Sequence, residues 1–211
     1  SGLFTYIINR VLDEESPAQQ TTQYLYVLSR IVTADAKIFM QLISATASSS
    51  GVPDDSKLVS DLMDVWWARF DNMAEPRQRK LTAMAIASFV STGHPQVLQR
   101  LSTEIFNLWM DVFCEIQEVY DHAASNGTIF WDEDQAPSSY YKETEGTPEW
   151  SRRHKLFETD PVRTILLSTY VAARLQEAET ACGGPQAIQQ LYLQDVDQTV
   201  LKQIQAYLGK S

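Results

Sequence analysis

Apolar residues recur three and four positions apart along most of this chain, and no segment alternates with the period of two that a half-buried strand shows. A helix is expected to open at Ser16-Pro17-Ala18-Gln19, which has the form of a capping box with proline at the first helical position. Tyr24, Leu28 and Ile31 form its stripe, with Leu25 and Val32 beside it. Asp35 can cap the next helix, which turns Phe39, Leu42, Ile43 and Thr46 one way and ends at Ser48-Ser49-Ser50-Gly51-Val52-Pro53. A third helix runs from Asp55 to Phe70 with Leu58, Leu62, Val65 and Trp66 at helical spacing. Glu75-Pro76 starts a fourth, with Leu81, Met84, Ala85, Ser88 and Phe89, which stops at Gly93. A fifth begins at Pro95 and carries Leu98, Leu101, Ile105, Leu108, Val112, Ile116 and Val119 on one stripe.

The period stops over residues 121–158. This insert holds eight acids (Asp121, Asp132, Glu133, Asp134, Glu143, Glu145, Glu149, Glu158), four bases and six aromatics, among them Phe130 and Trp131. So long an aperiodic segment inside a compact domain is usually functional or disordered. Its aromatics can pin it back onto the helices, or acids and aromatics together can face a partner. The residues singled out for partner binding are Phe130, Trp131, Asp132, Glu133, Asp134, Glu143 and Glu145. Helices resume at Asp160-Pro161. The next has two apolar stripes, one through Leu167, Val171, Leu175, Ala178 and Cys182, the other through Val162, Leu166, Tyr170 and Ala173. Gly183-Gly184-Pro185 breaks it, a short helix covers residues 186–193, and Asp195-x-x-Gln198 opens a last helix that stops at Gly209. The expectation is an all-α fold of about eight helices joined mostly by short turns. A closed bundle and a row of stacked pairs both fit, but helices apolar on more than one side favour stacking, where neighbours cover both faces.

Composition narrows the function. The chain has 211 residues, and 17 Lys plus Arg stand against 27 Asp plus Glu, a net charge of −10. Such a surface repels phosphate backbones and attracts basic proteins. No apolar run approaches the ~18–20 residues of a membrane span, and residues 1–12 lack the basic start of a leader peptide. Ser1-Gly2 has the form of a cloning remnant, so an excised piece of a longer protein is expected. The Asn126-Gly127-Thr128 sequon matters only in a secreted protein. Cys114 and Cys182 fall among apolar residues and are expected to be buried, reduced and structural.

The search for reaction chemistry finds no phosphate loop, no nucleotide-binding glycine turn, no HExxH and no paired CxxC. No enzyme activity and no cofactor is implied. His94, His122 and His154 lie at helix ends or in the insert and are expected to be solvated. Glu104, Asp111, Glu115 and Glu118 share a helix face, but the inward Glu-x-x-His ligands of a di-metal carboxylate site are missing, so a solvated acidic face is expected. Trp66 and Trp67 are expected to pack between neighbouring helices.

The run Asp71-Asn72-Met73-Ala74-Glu75-Pro76-Arg77-Gln78-Arg79-Lys80-Leu81-Thr82-Ala83-Met84-Ala85-Ile86 resembles a stretch near the C-terminus of importin-β superfamily (karyopherin) receptors, closest to the importin-11 branch with the fungal Kap-one-twenty type. The order that follows is also similar: long helix, acidic insert, Asp160-Pro161-Val162-Arg163-Thr164, closing helix. The resemblance implies a HEAT-repeat solenoid of stacked antiparallel pairs, one repeat carrying the acidic insert. By that analogy the helices from Pro76 and Asp160, and by alternation the one after Asp35, are inner helices on the concave side. It further implies a cargo-binding segment of a Ran-dependent nuclear import receptor that shuttles between nucleus and cytoplasm. Basic protein cargo would be a direct partner. Ran GTPase and FG nucleoporins would be met through the full-length protein, the main Ran surface lying outside this chain. No nucleic acid and no membrane is implied as a direct partner. An exporter of the same superfamily, or a non-enzymatic scaffold or trafficking subunit, are the alternatives.

Overall fold

The structure, a computed structural model, describes residues 2–51, 54–122, 146–194 and 196–209. Among these residues it is helical throughout, without strands: α1 (Gly2–Leu12), α2 (Ala18–Ala34), α3 (Ala36–Ser49), α4 (Ser56–Phe70), α5 (Pro76–Val90), α6 (Pro95–Leu98), α7 (Phe106–His122), α8 (Pro148–Glu158), α9 (Pro161–Thr164), α10 (Leu167–Ala181), α11 (Pro185–Tyr192) and α12 (Gln198–Leu208).

One helix is apolar or small on every side. In α5 the ten residues 81–90 are all buried, although five of them are Thr, Ala or Ser. Small side chains let neighbouring backbones approach, and α5 lies between α2 and α10 with α7 across from it. Two polar groups that enter are satisfied. The Trp109 indole donates to the Ala83 carbonyl at 3.1 Å, and the Ser88 and Tyr170 hydroxyls are hydrogen-bonded at 2.7 Å. Around this strut the helices form two rows, α2–α5–α10 in one and α1, α4, α6–α7 and α12 in the other. The architecture is an all-α solenoid of stacked helices.

Several local expectations are corrected. The cap of α2 is Pro17 without a side-chain bond, and Ser16 instead turns to Asp13, so no capping box forms. The helix in line with α5 and α10 is α2, not α3. Counting back by alternation fails because α3, which packs on α1, α2 and α4, is an extra helix. The long fifth helix is broken near its start: α6 is a single turn, and a π-helical turn over Leu101–Ile105 leads into α7. Arg100 sits at that turn and binds Asp64 and Ser60 of α4 at 2.7 and 3.1 Å and Glu104 at 2.9 Å. The two-stripe helix is also divided. Ile165 and Leu166 are extended, and the Lys80 ammonium donates to the Ile165 carbonyl at 2.8 Å, satisfying an acceptor the helix has released. The insert ends in α8, and α1 forms where no helix was assigned. The last helix is capped by Asp197, whose carboxylate accepts from the Thr199 N–H at 2.6 Å.

Gly93 closes α5 with φ +73, and a Cβ there would stand 2.8 Å from the Ala181 Cβ, so only glycine brings the ends of α5 and α10 together.

Trp66 is 1% exposed and packs on Phe89 at a ring distance of 6.2 Å, as expected for core, whereas Trp67 is 39% exposed. The buried Trp66 indole N–H has no hydrogen-bond partner among the described residues. Trp66→Ala is therefore expected to cost about 3–5 kcal/mol in chemical denaturation. Trp66→Phe should cost clearly less, because it removes an unsatisfied donor while keeping a ring. Equal losses for the two would show that the indole N–H is satisfied after all.

Candidate protein-binding surface

The insert returns to the solenoid at Asp160. This carboxylate is 7% exposed and is held by Arg30 of α2, at 2.6 and 2.7 Å to its two oxygens, and by Arg77 of α5, at 2.9 Å. It also accepts the Val162 N–H at 3.0 Å, capping α9. One side chain thus fixes the insert's exit to two adjacent helices of the same row. Burial works to raise its pKa, but the two guanidiniums and the backbone N–H outweigh it and lower the value to about 2. Beside it, burial pushes the Lys80 ammonium down to about 8 against the opposing pull of Asp160. The Tyr26 hydroxyl donates to Gln78 in the same corner.

On the other flank of α5, Arg79 lies over the Phe70 ring at 4.2 Å and binds Glu115 of α7 at 2.8 Å. The expected solvated acidic face is thus only partly that: Glu104 and Glu115 are half-buried in ion pairs, and Asp111 is exposed. Glu118 lies where side chains are outside the described residues. Glu14, Glu15 and Asp71 are exposed acids elsewhere on the surface.

The residues singled out for partner binding, Phe130, Trp131, Asp132, Glu133, Asp134, Glu143 and Glu145, all lie outside the described residues, as does Asn126. The described end of the insert is α8, which touches α9. Its residues 151–156 are exposed, and Glu149 pairs with Arg152 and Arg153. His154 stacks on Trp150 at 4.8 Å and pairs with Glu158, and His94 accepts from the Gln96 N–H to cap α6 and reaches Asp55. Two histidines expected to be merely solvated are therefore engaged. Cys114 is exposed, not buried, and sits 3.6 Å from the Tyr207 hydroxyl. Cys182 is half-buried, which raises its thiol pKa. Among the described residues no group of three or more His, Cys, Asp or Glu could hold a metal ion, and no helix is long and apolar enough to cross a membrane.

Comparison with known proteins decides the family. A family model described as importin-11-like, TPR repeats, matches residues 1–209. The chain belongs to the importin-11-like family. It is 26% identical over 208 residues to the importin beta-like protein kap113 of Schizosaccharomyces pombe, covering 99% of this chain and 20% of that protein. It is 24% identical over 210 residues to human importin-11, covering 98% of this chain and 21% of that protein. The mouse importin-11 matches over 186 residues at 24% identity, covering 88% of this chain and 19% of that protein. The chain thus spans about a fifth of the length of the curated relatives it matches. No solved structure matches it. These relatives are importins by name.

The Asp160 clasp of this importin-11-like chain gives a pH dependence of known sign. A carboxyl lowered from 3.8 to about 2 on folding contributes stability that is complete above pH 4 and is lost as pH falls from about 4 to about 2. Asp160→Asn should therefore lower the melting temperature at pH 7, by about 1–2 kcal/mol in stability. Parent and variant should converge as the pH approaches 2. A melting difference that persists undiminished at pH 2, or none at pH 7, would show that the clasp does not hold the fold.

Proposed function

We propose that this chain is the C-terminal cargo-binding segment of a Ran-dependent nuclear import receptor, and that it takes basic protein cargo. The observation that carries this reading is the match of the importin-11-like model along residues 1–209. The relatives' names, importin-11 and importin beta-like protein, favour import over export. The charge supports the partner class: at −10 the chain attracts Lys- and Arg-rich segments and speeds their encounter. In this reading the receptor shuttles between cytoplasm and nucleus, meeting Ran and FG nucleoporins chiefly through parts of the protein outside this chain.

Within the chain the insert 121–158 is the leading surface. Asp132, Glu133 and Asp134 supply three adjacent carboxylates. Phe130 and Trp131 directly before them suit the aliphatic stems and cationic heads of the same basic side chains, and Glu143 and Glu145 extend the acidic stretch. The clasp at Asp160 supports this role, because an insert anchored at its exit loses less freedom when it binds.

Reversing the charge of Asp132, Glu133 and Asp134 together in the full-length receptor should weaken binding of a basic cargo and flatten its salt dependence, with the melting temperature nearly unchanged. Unaltered affinity across a salt series would remove the insert from the cargo surface and leave the helices as its only location.

A further inference from the structure

The far end of the chain differs chemically from the rest. Residues 181–194 carry no charged side chain, in a protein where charged residues make up 21%. This stretch forms α11 and its junction with α12, and between the two helices runs a groove of about 670 Å³. Six glutamines line it: Gln186, Gln189 and Gln190 from α11, Gln194 from the junction, and Gln198 and Gln205 from α12. All six are exposed, and none of their side-chain amides is hydrogen-bonded to the described residues. Leu193 and Leu201 add apolar surface, and Lys202 is the one charged residue among the described lining residues.

We propose that this groove binds an extended, uncharged polypeptide segment of a partner protein through the segment's main chain. A carboxamide is both donor and acceptor, as is each peptide group of an extended chain, so amides on two facing helices complement a main chain without reading its side chains. The spacing agrees. Gln186 and Gln190 are one helical turn apart, a rise of about 6 Å. An extended chain presents equivalent peptide groups every two residues, about 6.7 Å. Charge excludes the competing ligands. A lone lysine is a poor phosphate site beside the multi-donor sites anions use. A basic segment finds no carboxylate among the described lining residues, and the inference does not depend on the cargo reading. Leu193 and Leu201 leave room for small or apolar side chains that point into the groove.

The test uses the 211-residue chain, labelled with nitrogen-15, and a capped ten-residue peptide of serine, asparagine and glycine. The expected result is a saturable shift of glutamine side-chain NH2 resonances, assigned by single Gln→Ala variants to the lining. Gln190→Glu with Gln198→Glu keeps the size of both side chains but removes their donors. It should weaken the peptide at least ten-fold while leaving the melting temperature unchanged. The same peptide with alternate backbone nitrogens methylated should bind at least ten-fold more weakly than its parent. No shift at millimolar peptide, shifts confined to resonances outside the six glutamines, or equal binding of the methylated peptide would each overturn the proposal.

Discussion

The fold depends on the burial of one helix on all sides. Residues 81–90 of α5 have no solvent face, so α2, α7 and α10 must each present a complementary surface to it, and the two rows of helices follow from that demand. Because half of the buried stretch is Thr, Ala or Ser, the packing is close, and neighbouring backbones have little room to shift. Gly93 at its end has the same cause: a Cβ would meet Ala181 before α10 could reach its place. A helix held this firmly is a rigid base for what its polar N-terminal end carries.

The N-terminal end of α5 carries charge. Arg77 and Lys80 in the first turns of α5 reach Asp160 and the Ile165 carbonyl, and Arg79 reaches Glu115. Asp160 gathers guanidiniums from two neighbouring helices where the insert rejoins the solenoid. A buried carboxylate is costly unless it is paired and hydrogen-bonded, and this one is paired twice and also caps α9. The consequence is that the chain returning from the insert is anchored to two packed helices, α2 and α5.

Much of this was legible in the sequence. The stripes of α2, α3 and α4, the Asp35 cap, the proline starts at Pro76 and Pro161, and Trp66 as core all follow from periodicity and capping chemistry. The resemblance to karyopherins, read from the run around Arg77–Lys80 and the order of elements after it, agrees with the family match. What was not legible depends on tertiary partners. Thr82, Ala83 and Ala87 carry little apolar signal, so α5 reads as one-sided although its residues 81–90 are all buried. Ile165 and Leu166 continue a helical pattern but are extended, and the carbonyl this releases is met by Lys80, 85 residues away in sequence. The arginines that hold Asp160 are 130 and 83 residues away from it in sequence. The stripe of Phe4, Ile7, Ile8 and Val11 marks α1 plainly, but the test for a leader peptide does not look for it. Cys114 was misread because apolar neighbours along a helix do not fix which way one residue points. The charge-free run that builds the glutamine groove is visible in the sequence, yet nothing in one dimension shows that α11 and α12 face each other.

Hydrogen exchange of the full-length receptor, with and without a basic cargo, tests the central claim most directly. An acidic insert that engages cargo from a rigid base should gain protection within residues 121–158 when cargo binds, while the amides of α5 stay slow and unchanged. Protection gained only outside the insert, or α5 exchanging faster in the complex, would contradict the account.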